Sequence, residues 1–227
     1  MCTDFLLRDK DNSVVIGRSM EFGEDLGSQI LVGGRGTKKH SAAPDSPMGG
    51  LSWTAKYGYV GINVAGLHLP KLICDGMNEM GLSIGALWLP GYTQYSPTVS
   101  NKAQALDVKD FTNWVLGNFA TVAEVKAGLT GVQIWANSLT NSQIPIHFSI
   151  HDASGESAVL EFLDGSTKGK WQVNTVGVLT NAPPFAWQLS NIGNYAGLSA
   201  VDAVPIPLGG TPFPPSWPWQ WHARVAW

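Results

Sequence analysis

Residues 2–23 read CTDFLLRDKDNSVVIGRSMEFG, and the order of residue types there decides how the chain begins. Two short apolar segments, 5–7 and 14–16, flank a polar turn over 9–13, which is the pattern of a β-hairpin whose first strand starts at the N-terminus. A cysteine directly follows the initiator Met. Cys is small enough for methionine removal, and removal leaves Cys2 with a thiol and a free α-amino group on one residue. The unperturbed amine titrates at about 7.7–8.0, so it can take the thiol proton without help from a histidine. The thiolate is then the attacking species. On position alone, the same residue also reads as a buried thiol at a strand start.

Working outward, residues 33–50 are rich in Gly and polar side chains and read as a long loop. LSWTAKYGYVGINVAGL (51–67) follows as a second hairpin, alternating and rich in aromatic and β-branched residues. A Gly turn at Gly81 and a Pro-Gly stop bound a buried strand over 82–89. Between Asp107 and Leu129 the apolar residues Val108, Phe111, Trp114, Val115, Phe119, Val122, Val125 and Leu129 recur at helical spacing, which predicts two short amphipathic helices. VQIWANS, IPIHFSIHD, SAVLEFLDG and KWQVNTVGVLTN are strand-length runs, and PPFAWQLSNIGNY reads as a helix with Pro at its start. Strands, then helices, then strands joined by hairpin turns predict an α+β layered fold on antiparallel sheet. Neither an internal repeat nor an interdomain linker is visible.

Composition bounds the function classes. In 227 residues, 44% are apolar and 14% charged, enough for one domain that buries about 70% of its unfolded surface, which excludes disorder as the main state. The formal charge of −3 supplies no basic face, so nucleic acid and acidic lipid are not expected partners. No apolar run reaches the roughly 18 residues of a spanning helix, and the N-terminus as written lacks the basic-then-apolar build of a secretory leader. No membrane partner is expected, and as written the location is cytoplasmic, or periplasmic if an upstream leader was omitted. Cys2 and Cys74 are too few for a disulfide scaffold or a thiolate metal site.

With GRSMEFG at 17–23, MNEMGLSIGALWLPGY at 77–92, VLTNAPPFAWQLSN at 178–191 and PLGG at 207–210 falling in order behind the initial Cys-Thr, the chain resembles the choloylglycine hydrolase and penicillin V acylase family of N-terminal nucleophile hydrolases. The resemblance runs from Cys2 to about Pro215. It implies a four-layer αββα sandwich and hydrolysis of a linear amide without a cofactor. The substrate it implies is a small-molecule amide, and the assembly a homotetramer.

Position by position, the resemblance makes Cys2 the nucleophile. Arg18 is the guanidinium beside the thiol, favouring the thiolate, although alone it reads as a surface ion pair. Glu21 stands where the family has Asp, which accepts from the α-amine. Asn181 is the side-chain amide that donates to the oxyanion, although alone it reads as a turn Asn before Pro. Trp88 supplies a backbone N–H to the same oxyanion and an indole that favours an apolar or aromatic acyl group over a polyhydroxylated sterol, although core packing also explains it. Met20 joins Trp88 and Asn181 in contacting the substrate. An inert remnant, or a module that binds the amide without turnover, is the alternative.

Three further features read as structural. His147 and His151 lie in a strand run, where residues four apart share a face but stand about 13 Å apart, too far to clamp one ion, so no metal is expected. The GGRG of 33–36 lacks the Lys-Ser/Thr of a phosphate cradle, and Cys74 reads as a buried thiol outside the chemistry. The last segment, SWPWQWHARVAW, does not fit. Trp has the single codon TGG, so a one-base shift converts each Trp to Gly, and the tail can then read as a Gly-rich family sequence. The expectation is a hydrolase domain over 1–215, missing its C-terminal part, followed by an out-of-frame tail over 216–227.

Overall fold

The computed structural model describes residues 2–137, 144–195, 206–208 and 211–213. The chain divides into two compact units, Met1–Pro184 and Phe185–Trp227.

In the first unit, β1 (Thr3–Arg8) and β2 (Val14–Ser19) form the expected hairpin, with β14 (Val178–Thr180) on the other side of β1 in the order β14-β1-β2. Asn12 closes the turn at φ 66, a left-handed conformation that Asn tolerates. Facing this small sheet is an antiparallel seven-stranded sheet. Its strands are β3 (Ile30–Gly33), β6 (Tyr59–Val64), β7 (Leu69–Asn78), β8 (Ser83–Trp88), β11 (Ile146–His151), β12 (Ser157–Glu161) and β13 (Lys170–Val173), in the order β13-β12-β11-β8-β7-β6-β3. β8, β11 and β12 are buried almost throughout because both of their faces are covered.

The helices cover the outer face of the large sheet. α1 (Val108–Asn118) starts where the Asp107 side chain accepts from Lys109 N–H, and α2 (Val122–Gly128) where Thr121 Oγ1 accepts from Glu124 N–H. Phe111, Val115 and Leu116 of α1 are fully buried in the core that includes Ile84, Phe148 and Leu160. The buried Asn78 ties the β7–β8 hairpin to this layer. Its amide donates to the Leu116 and Phe119 carbonyls, and its Oδ1 accepts from Met80 and Leu82 N–H. Helix, large sheet and small sheet are thus stacked in order. In the second unit, α3 (Phe185–Ile192) lies where the PPFAWQLSNIGNY run predicts a helix, and β15 (Ile206–Leu208) pairs with β16 (Thr211–Phe213).

Three sequence expectations need correction. The stretch 33–50 is not wholly loop, because β4 (Lys38–His40) lies within it and pairs with β5 (Ser52–Thr54). Residues 51–67 are therefore not one hairpin: β5 joins β4, while β6 joins β3 and β7. Tyr59 explains part of this. Its ring lies over Gly33 across the strands, where a Cβ would collide with it, so the aromatic of β6 selects the glycine of β3. Third, KWQVNTVGVLTN is two strands. Asn174 Oδ1 accepts from Val176 and Gly177 N–H, and Gly177 turns at φ 68, which sends β13 to the large sheet and β14 to the small one. Among the described residues one pairing is parallel, β10 (Gln133–Trp135) with β9 (Ala105–Asp107). The proposed out-of-frame tail, 216–227, lies outside the described residues.

Candidate active site

Strand alternation explains how the site assembles. Side chains two apart on a strand share a face, so Cys2 and Asp4 both point from the small sheet toward the large one, and both are buried. Asp4 pairs directly with Arg18 on β2, which puts the guanidinium on that same face. Arg18 Nη2 donates to the Ala86 carbonyl of β8 at 2.6 Å. Its Nε and Nη1 are buried without a hydrogen-bond partner among the described residues, so the guanidinium keeps donor capacity beyond its tether.

In this position the guanidinium lies against the glycine at residue 85. A Cβ there would lie 2.5 Å from Arg18 Nη1 and 3.1 Å from Asp4 Oδ2. Below it, Asp75 of β7 is pushed up from the ordinary carboxylate range by burial; the Arg18 charge pulls it back and Asp4 pushes it further up.

Cys2 and Arg18 line one cleft with Met20, Phe22, Leu72, Cys74, Ala86, Trp88 and Ile146. Apart from Arg18 and the two thiols these walls are apolar. Phe22 meets Trp88 edge to face, with ring centroids 5.4 Å apart. Met20 Sδ lies 3.5 Å from Cys74 Sγ, and that thiol donates to the Ile62 carbonyl at 3.2 Å. Burial pushes the Cys74 thiol up to about 11. It is a protonated wall of the cleft at neutral pH.

Asn181 follows β14 and meets the end of β8. The Trp88 N–H donates to Asn181 Oδ1 at 2.9 Å, and Ala182 N–H donates to the Trp88 carbonyl at 2.9 Å. This corrects one expectation. The Trp88 N–H assigned above to an oxyanion has a protein acceptor here, and its visible work is to orient the Asn181 carboxamide. A backbone N–H can face only the oxygen of that amide, so Nδ2 is the donor end, turned away from the Trp88 N–H. Glu21 is exposed, and its described contact with Cys2 is through its backbone carbonyl, which accepts from the thiol at 3.8 Å.

The structure thus brings Cys2, Arg18, Met20 and Trp88 to one cleft and ties Asn181 to Trp88. Sequence reasoning passed over Asp4 and Gly85. Asp4 was legible as the next inward position after Cys2, and Gly85 as a glycine inside a buried strand, which marks a close approach. Among the described residues no group of His, Cys, Asp and Glu is arranged to hold a metal ion, and no helix is long and apolar enough to cross a membrane.

Comparison with known proteins identifies relatives in both sequence and fold. A family model for linear amide C–N hydrolases of the choloylglycine hydrolase family matches residues 2–215. The bile salt hydrolase/transferase of Clostridium perfringens is 34% identical over 214 residues, 92% of this chain and 62% of that protein. The penicillin V acylase of Pectobacterium atrosepticum is 31% identical over 83% of this chain and 51% of its own. Among solved structures, the C2A mutant of the conjugated bile acid hydrolase from Clostridium perfringens superposes with a TM-score of 0.73 at 29% identity, covering 93% of this chain and 63% of that one. The penicillin V acylase of Agrobacterium tumefaciens superposes at 0.74 and 31% identity, covering 90% and 60%. The chain spans between half and two thirds of the length of these relatives.

Proposed function

Because the chain belongs to the choloylglycine hydrolase family of linear amide C–N hydrolases, with the N-terminal nucleophile hydrolase fold of its solved relatives, we propose that it is a cysteine amidase acting through Cys2. The observation that carries this reading is the convergence of Cys2 and Arg18 on one apolar cleft, whose Trp88 wall holds the Asn181 amide. After removal of Met1, the Cys2 α-amine takes the thiol proton and the sulfur attacks the substrate carbonyl carbon. The carbonyl π electrons move onto oxygen, where Asn181 Nδ2 donates to the negative charge; such a donor lowers a barrier by about 3–4 kcal/mol. The tetrahedral intermediate expels the amine, which leaves with the proton held by the α-amine, and a thioester remains on Cys2. Water then adds to the thioester, gives a proton to the α-amine, and releases the acid and the thiol. Arg18 supplies a fixed positive charge beside this chemistry.

The acyl half of the substrate occupies the apolar walls. Trp88 and Phe22, set edge to face, suit a flat or aliphatic acyl group better than a sterol with several hydroxyls. The order of preference is then phenoxymethylpenicillin, a long-chain acyl-homoserine lactone, and last glycocholate. A family-like homotetramer belongs to the same proposal and is read by light scattering.

The test is amine release from those three compounds by the purified protein, with loss of Met1 verified by intact mass and Cys2→Ala run beside it. Turnover that disappears in Cys2→Ala supports the amidase. Undiminished turnover in Cys2→Ala overturns it, and ligand binding without turnover by either protein establishes the binding module instead. Glycocholate as the best substrate overturns the role given to Trp88.

A further inference from the structure

β11 carries two histidines that the reading above leaves unused. His147 and His151 stand four residues apart on one face of the strand, fully buried, and both reach across to the three-stranded sheet. His147 sets Nδ1 2.9 Å from Glu161 Oε1 and Nε2 2.9 Å from the Thr180 carbonyl on β14, while Gln172 Nε2 donates to the second oxygen of Glu161 at 2.7 Å. His151 sets Nε2 2.5 Å from Asp4 Oδ1 on β1, with Ser149 Oγ 2.9 Å from the same nitrogen. One histidine therefore holds the strand two residues beyond Cys2, and the other holds the residue immediately before Asn181.

The proton positions follow from the partners. A carbonyl oxygen only accepts, so Nε2 of His147 carries a hydrogen. A second proton lies between Nδ1 and Glu161, and on either atom it leaves the bond to Thr180 intact. Buried polar pairs of this kind are weak sources of stability when compared with apolar packing. Their placement has a clearer consequence. Thr180 precedes Asn181, and its hydroxyl accepts from the Asn181 N–H at 2.7 Å. The Asn181 side chain is held by Trp88, which pairs in register with Ile146, the neighbour of His147. The oxyanion donor is thus fixed to β11 by two routes, and the nucleophile strand by a third.

We propose that β11 sets the spacing between nucleophile and oxyanion donor through these two clasps, with His147 and His151 as positioning residues; the inference rests on the amidase reading above.

The test compares the parent with His147→Phe, Glu161→Gln and His151→Phe by three readouts. These are kcat and KM on the best amide, the rate of Cys2 alkylation by iodoacetamide resolved from Cys74 by peptide mass, and Tm. In Glu161→Gln the new amide donates to Nδ1 and still accepts from Gln172, so the Nε2 hydrogen stays on Thr180. Displacing a reacting group by about 1 Å can cost about 100-fold. His147→Phe is accordingly expected to lower kcat about 30-fold or more while KM and Cys2 alkylation stay near the parent values. Glu161→Gln is expected to recover most of that kcat, and His151→Phe to change the alkylation rate of Cys2 severalfold.

Retained kcat in His147→Phe, or an equal loss in Glu161→Gln, overturns the proposal. If His147→Phe does not fold, His147→Asn takes its place under the same criteria. If the parent shows no turnover on any amide, the amidase reading fails by itself. Cys2 alkylation in His151→Phe and Asp4→Asn then decides for the nucleophile clasp, and a rate equal to the parent's overturns it.

Discussion

The central strands of the seven-stranded sheet and the three-stranded sheet that faces them differ sharply in burial. In the seven-stranded sheet, β11 and β12 have no exposed residue and β8 has only a half-buried Trp88. In the three-stranded sheet, β1 and β2 show Leu7 and Val15 to solvent on the outer face. Yet Cys2, Arg18 and Asn181 stand on or beside the smaller sheet, and the larger one supplies their seats: Ala86 for Arg18, Trp88 for Asn181, His151 for Asp4. The proposed chemistry sits on the smaller sheet, and its positioning comes from the buried central strands of the larger one. Such a division gives stability and activity separate sequence determinants.

The largest separation is expected deep in the larger sheet. Phe148 is fully buried against Phe111, with ring centroids 4.7 Å apart, and Phe148→Ala should cost about 3–5 kcal/mol of stability. Denaturant melts would measure the loss, and turnover per folded molecule should stay near the parent value; a specific loss of turnover would break the division. Asn181→Ala is the converse. It should lower turnover about 10²–10³-fold while the melting curve moves little, which kinetics and melting on the same preparation would check.

Gly85→Ala tests the contact between the sheets. The added methyl would crowd Arg18 Nη1, and because overpacking typically costs about 1–3 kcal/mol, both stability and Cys2 alkylation should fall together. Alkylation at the parent rate would mean that Arg18 has another resting place. The smallest effect concerns pH. Burial raises the Cys74 thiol to about 11 in the folded chain, above its unfolded value of about 8.5. A raised folded value gives stability that is complete below the unfolded one and is lost as the pH rises through about 11. Tm of the parent should therefore fall more steeply between pH 9 and 11 than Tm of Cys74→Ala; parallel slopes would remove Cys74 as a buried acid.

Local signals made the smaller sheet legible. The polar turn of 9–13 fixes the β1–β2 register, and Cys2, Arg18 and Met20 then fall on the inward face without knowledge of anything distant. Helical spacing placed α1 and α2 for the same reason. What stayed hidden depends on partners far away in sequence. The β4–β5 pairing and the passage from β13 to β14 between sheets are choices of register that no short window contains. His147 and His151 read as structural because the residues that give them meaning, Glu161 and Asp4, come from other strands. One signal was present. Two histidines on one face of a strand whose other face is apolar need buried polar partners, and that need is visible before the partners are.

The central claim is covalent chemistry at Cys2, and the most direct measurement is the intact mass of protein mixed with phenoxymethylpenicillin and quenched in acid within the first turnover. The account expects a species heavier by the phenoxyacetyl group, located on the peptide that begins with Cys2 and absent from Cys2→Ala. An acyl group on any other residue, or amine release by Cys2→Ala at the parent rate, would contradict it.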